Sequence, residues 1–158
     1  MSVMGIFDRT RQDPLWGRAE SLVGTVSALA KSLFSRLAIR YSILYSVREE
    51  DWNFLVTAAG LYVASLHLYE QVPEERRSGL YEVVQHGLPP GTAEAMANCG
   101  EFVTRRAGTE SDIFTFETVL GYWVLLNALP RRPTEDQAQL AFFIGHSVTD
   151  AFASWWNL

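Results

Sequence analysis

The chain has 158 residues, is 48% hydrophobic and 20% charged, and carries a formal net charge of −5. That apolar content excludes a disordered chain, and the length suits one domain with a single core. A lone cysteine, Cys99, excludes an intramolecular disulfide or a multi-cysteine zinc site, and the acidic balance argues against nucleic acid as main partner.

Residues 1–13 read as a flexible or peripheral segment. They mix acids with arginines and make a poor secretory leader. Asp13-Pro14 has the form of a helix N-cap followed by proline at the first helical position. From Leu22, apolar residues recur at helical spacing through Val26, Leu29, Leu33, Leu37 and Leu44. A second row (Val23, Ala30, Phe34, Tyr41, Tyr45) widens the stripe. The spacing predicts a long amphipathic helix over 21–48, and Ser46-x-x-Glu49 predicts a capping box for the next one.

Trp52 to Tyr69 is the longest run without a formal charge, at 18 residues. Its length sits at the lower edge of a membrane span, but Asn53, Thr57, Ser65 and His67 favour a central core helix. Only the thin stripe Asn53, Thr57, Gly60, Ala64 and His67 is less apolar. Pro73 opens a short third helix that His86-Gly87 closes. Leu88 to Gly91 is a turn, and a fourth helix is predicted over 92–106. A fifth begins at Ser111-Asp112 and is broken by Pro130-Arg131-Arg132-Pro133. Thr134-x-x-Gln137 is a capping box for the last, whose core face is Leu140, Ile144, Val148, Ala151 and Trp155. Strand alternation and internal repeats are missing. The expectation is an all-α fold: a single domain over 1–158, a compact bundle of five to six mostly antiparallel helices. Helix-interior glycines (Gly24, Gly60, Gly121, Gly145) suggest close helix contacts.

Catalytic signatures are weak. Each histidine has a carboxylate at helical spacing: His67 with Glu70, His86 with Glu82, and His146 with Asp150. Three such pairs could converge on a metal or an acid–base site, yet no His-x-x-x-His, Glu-x-x-His or His-Glu-x-x-His spacing is present. Histidines at helix boundaries are the plainer account, and no cofactor, metal or catalytic residue is assigned.

Charge is unevenly placed. Residues 1–48 sum to +4 and residues 49–158 to −9, with no acid between Ser21 and Arg48. The later arginines fall in pairs, Arg76-Arg77, Arg105-Arg106 and Arg131-Arg132. Each pair could grip a phosphate or carboxylate, or simply favour a helix end. The leading expectation is a non-enzymatic, self-associating interaction module such as an adaptor, complex subunit or inhibitor-like protein. Its candidate contacts are Lys31, Phe34, Arg36, Arg40, Tyr41, Tyr45, Trp155 and Trp156, and a homodimer is its simplest assembly. One alternative is an apolar pocket for a small ligand, haem or metal near Tyr62, His67, Trp123 and His146, with an enzymatic role open. Another is peripheral attachment to an anionic membrane through 21–48. The expected location is cytoplasmic, with a place at the membrane surface if that last alternative holds.

Overall fold

The computed structural model describes residues 10–106 and 115–157. Within them lie six helices and two short 3-10 turns, with no strand among the described residues. Helix α1 spans Trp16–Arg40, followed by a 3-10 turn at Ser42–Ser46. Then come α2 (Glu49–Gln71), α3 (Glu74–His86), α4 (Thr92–Arg106) and α5 (Phe116–Ala128). A 3-10 turn at Glu135–Gln137 leads into α6 (Ala138–Phe152). The chain folds as the all-helical bundle its periodicity predicts.

Helix α2 is the centre. It packs against all five other helices, and its residues from Leu55 to Leu61 are buried without a break. A helix with no charged face has no stable solvent side, so neighbours must surround it. Its small stripe is where those neighbours come closest. Gly60 lies against Val26 of α1 and Phe152 of α6. The Ala64 carbonyl accepts the indole N–H of Trp156 at 2.7 Å.

The tightest pair is α5 with α6. Gly121 rests on the backbone of Ala141, and Gly145 rests on the backbone of Glu117. That reciprocal order makes the two helices antiparallel. It also explains two of the costly helix glycines, because a side chain at either would occupy the space of a neighbouring carbonyl. Gly24 differs. Nothing lies within 4 Å of where its Cβ would stand, so no helix contact in this fold accounts for it.

The predicted helix over 21–48 needs correction. Helix α1 starts earlier, at Trp16, and stops at Arg40, where Tyr41 turns extended (φ −124°, ψ 92°). No proline or glycine stands there. Instead the Tyr41 hydroxyl donates to Gln139 Oε1 at 3.1 Å, its ring packs on Phe143, and the following 3-10 turn tucks Leu44 into the core. Tertiary contacts therefore end a helix that local propensity would continue. The Ser46 capping box is likewise not formed. The Ser46 hydroxyl donates to the Ile43 carbonyl, and α2 starts at Glu49 after the extended residue Arg48. By contrast the Thr134–Gln137 box is present. The predicted start of the fifth helix at Ser111-Asp112 lies outside the described residues. The described helix begins at Phe116, with the Thr115 hydroxyl accepting from the Thr118 N–H at 3.3 Å.

Within the segment expected to be peripheral, Thr10 and Asp13 make contacts with the bundle while Arg11 and Gln12 are exposed. Thr10 is buried against Gly79. The Asp13 carboxylate accepts two hydrogen bonds from the Arg76 guanidinium, at 2.6 and 2.7 Å, and one from the Leu15 N–H at 2.9 Å. The fork of donors from Arg76 holds the Asp13 carboxyl below the usual carboxylate range, and partial burial opposes this only in part. A depressed carboxyl stabilises the fold fully above the ordinary carboxylate range near pH 4, and that contribution drains away as pH falls through the folded value. Asp13→Asn should therefore cost on the order of 1–2 kcal/mol at neutral pH, discounted because the Arg76 side chain is 37% exposed. Urea unfolding at several pH values checks this. The gap between wild type and variant should be constant above about pH 5 and shrink below it.

Candidate functional site

The fold decides which of the singled-out residues meet. In the neighbours Tyr122-Trp123 and Trp155-Trp156 one member turns into the core and the other turns elsewhere, as a rotation of about 100° per residue requires, while Phe142 is exposed and Phe143 half-buried. Trp123 is buried and donates its indole N–H to Asn98 Oδ1 at 2.8 Å, while Tyr122 lines a cleft. Trp156, expected as a partner contact, is instead 3% exposed and belongs to the core. Trp155 is half-buried, lies under the Arg18 guanidinium, and donates to the Arg18 carbonyl at 3.1 Å. Trp52 donates to the Ala30 carbonyl at 2.9 Å. Four indoles thus act as polar-tipped staples between helices.

The residues expected to line a pocket, Tyr62, His67, Trp123 and His146, each have different neighbours. Tyr62 stacks on Phe116 and presses on Gly100. His67 Nδ1 sits 3.1 Å from Glu70 Oε2 on its own helix. His146 does not use Asp150. Its Nδ1 lies 2.7 Å from Glu117 Oε2 across the α5–α6 contact, and its ring stacks on Phe142. No group of three or more His, Cys, Asp or Glu comes together among the described residues. Cys99 is fully buried, and loss of water pushes its thiol up to about 12, so it is a thiol rather than a thiolate near neutrality.

Two surface features remain. The first is the corner where α1 ends. The apolar stripe of α1 is spent inside the bundle on Leu22, Val26, Ala30, Leu33 and Leu37. By length and composition α1 is also the one described helix that could cross a membrane, yet its outward face carries Ser21, Thr25, Lys31, Ser32, Ser35 and Arg36. Phe34 is half-buried, edge-on to Trp52 at 5.4 Å. Beyond Arg36 the character changes. Ile39 is 83% exposed and Tyr45 74%, with Ile43 partly exposed between them. Arg36, Arg40 and Arg48 flank them, and Arg40 lies over the rings of Tyr41 and Phe143. Glu49, Glu50 and Asp51, all exposed, follow directly in the chain.

The second feature is a cleft of about 320 Å³ between the end of α4, α5 and the connection to α6. Phe102, Val119, Tyr122 and Leu126 make its apolar wall. Arg106, Arg132, Thr134 and Glu135 are its polar border. Sequence reasoning noted both arginine pairs but had no signal that one member of each would border one cleft. Tyr122, one residue from the expected Trp123, is the part of this site that periodicity could have found. The Tyr122 hydroxyl donates to the Thr134 carbonyl at 3.4 Å. Burial, then the neighbouring Glu135 charge, raises its pKa, so it stays a neutral donor.

Compared with known proteins, the chain matches no family model, no curated protein and no solved structure.

Proposed function

We propose that the protein is a non-enzymatic helical interaction module that pairs with a second copy of itself through the corner at the end of α1. The observation that carries this is the exposure of Ile39 at 83% and Tyr45 at 74%, the two most exposed large apolar side chains among the described residues. Solvating an isoleucine forgoes stabilisation that burial would return, so a partner covering it is the physical counterpart. The charges select the partner. Arg36, Arg40 and Arg48 stand beside Glu49, Glu50 and Asp51 in one short stretch. A two-fold contact needs a surface complementary to itself, with an apolar centre and both signs of charge around it. An anionic membrane would be met by three carboxylates along with the arginines, so peripheral attachment through 21–48 has less support. It would also need apolar residues of α1 that the core already uses. The non-catalytic part of the reading is supported by the desolvated Cys99, which stays a thiol near neutrality.

Sedimentation across a concentration series tests the proposal. The expected result is a monomer–dimer equilibrium that added salt weakens. Ile39→Glu should shift it to monomer and leave the melting curve of the dilute, monomeric protein unchanged, because the side chain is solvated within its own fold. A chain that stays monomeric throughout, or a dimer indifferent to Ile39→Glu, would overturn the reading.

A further inference from the structure

We infer that the cleft between α4, α5 and the α5–α6 connection binds a free apolar α-amino acid, a zwitterion with an aryl or branched alkyl side chain. Three observations carry this independently of self-association.

Size comes first. About 320 Å³ falls at the lower end of small-molecule sites. The second observation is the wall. Phe102, Val119, Tyr122 and Leu126 offer apolar surface that a hydrocarbon side chain would cover, while a bare inorganic ion would leave it wet. Arg106 belongs with this wall rather than with the ligand. Its guanidinium lies 4.0 Å over the Phe102 ring and has a further partner of its own. The third observation is the pair of charges left on the border. Arg132 and Glu135 both line the cleft, both are exposed, and they leave the same short connection. Among the described residues neither has an ion-pair partner, and they do not pair with each other. One charge of each sign gives the border no net preference for a simple anion or a simple cation. A ligand that carries both signs on one carbon satisfies both at once. Its carboxylate takes the Arg132 fork, and its ammonium donates to the Glu135 carboxylate. Glu135 stands near the Tyr122 hydroxyl, which burial and then the Glu135 charge keep protonated, so the head group lies at that end of the cleft. The ligand side chain then runs along Phe102 and Leu126.

The test uses the full chain, isotopically labelled, with four probes followed by amide chemical shifts. L-Phenylalanine carries both charges and a ring. 2-Phenylethylamine lacks the carboxylate, 3-phenylpropionate lacks the ammonium, and glycine lacks the ring. Phenylalanine should give saturable shifts centred on Phe102, Tyr122 and Leu126. Each singly charged analogue should bind about fivefold more weakly, the upper range for one exposed ion pair. Glycine should give no saturable shifts there. Arg132→Gln should bring phenylalanine down to the affinity of 2-phenylethylamine, and Glu135→Gln to that of 3-phenylpropionate; both positions are exposed, so the fold is kept. Leu126→Asp, also at an exposed position, should weaken all three ring-bearing probes. A singly charged analogue that binds as tightly as phenylalanine would overturn the inference. So would a preference that survives both charge variants, an absence of saturable shifts, or shifts that map to Ile39 and Tyr45 instead.

Discussion

Gly121→Ala and Gly145→Ala should each destabilise the fold by about 3 kcal/mol or more, against the usual benefit of alanine in a helix. Each new methyl group would meet backbone, Ala141 in one case and Glu117 in the other, and backbone cannot rotate away as a side chain can. The helices would have to separate along the closest pair in the bundle. Separation opens space beside Leu120, Val124, Ile144 and Val148, all buried at 0% exposure, so packing is lost well beyond the methyl itself. For a chain of this size the loss corresponds to roughly 6–12 °C in Tm. Gly24→Ala is the internal control. Its site is open, so it should gain about 0.5–1 kcal/mol from helix propensity and reduced unfolded-state entropy. Thermal and urea unfolding of the three variants read all of this. Equal signs for Gly24→Ala and Gly121→Ala would contradict the close α5–α6 contact.

Trp156→Ala should cost about 3–5 kcal/mol, the range for emptying a buried aromatic site. The residue stands just after α6, where a frayed end is common, but its ring is buried and its N–H reaches the Ala64 carbonyl of the central helix. Losing it would open the seam between α2 and the C-terminal segment, which the Gln71 amide also ties by donating to the Ala153 carbonyl at 2.6 Å. Trp156→Phe should keep most of the packing and lose the hydrogen bond, costing about 1–2 kcal/mol. Denaturant unfolding of the two variants separates the contributions. Were Trp156 a partner contact, Trp156→Ala would leave the unfolding curve of the monomer unchanged.

The two features with functional promise differ in how they became visible. Tyr45, Arg36 and Arg40 stand out in the sequence because the acid-free stretch to Arg48 is basic and apolar together. Ile39 belongs to neither apolar row; it lies within α1 on the outward face of Ser32, Ser35 and Arg36, so helical phase exposes it. The cleft was less legible still. Its wall and border come from two helices and a connection, and its arginines look like ordinary helix-end charges until they are placed together.

The sequence by itself determined the class of fold, the central place of α2 and the bounds of α3 and α4. Those depend on local matters: hydrophobic period, Pro73 and Gly87 as punctuation, and a run too apolar to have a solvent side. It also determined the split of charge between the beginning of the chain and the rest. Tertiary structure alone decided that Trp156 turns inward, that His146 answers to Glu117 rather than Asp150, and that Gly121 and Gly145 face each other's helices. Periodicity says which face of a helix must be covered. It does not say which neighbour covers it, because that choice is made by contacts between residues far apart in the chain.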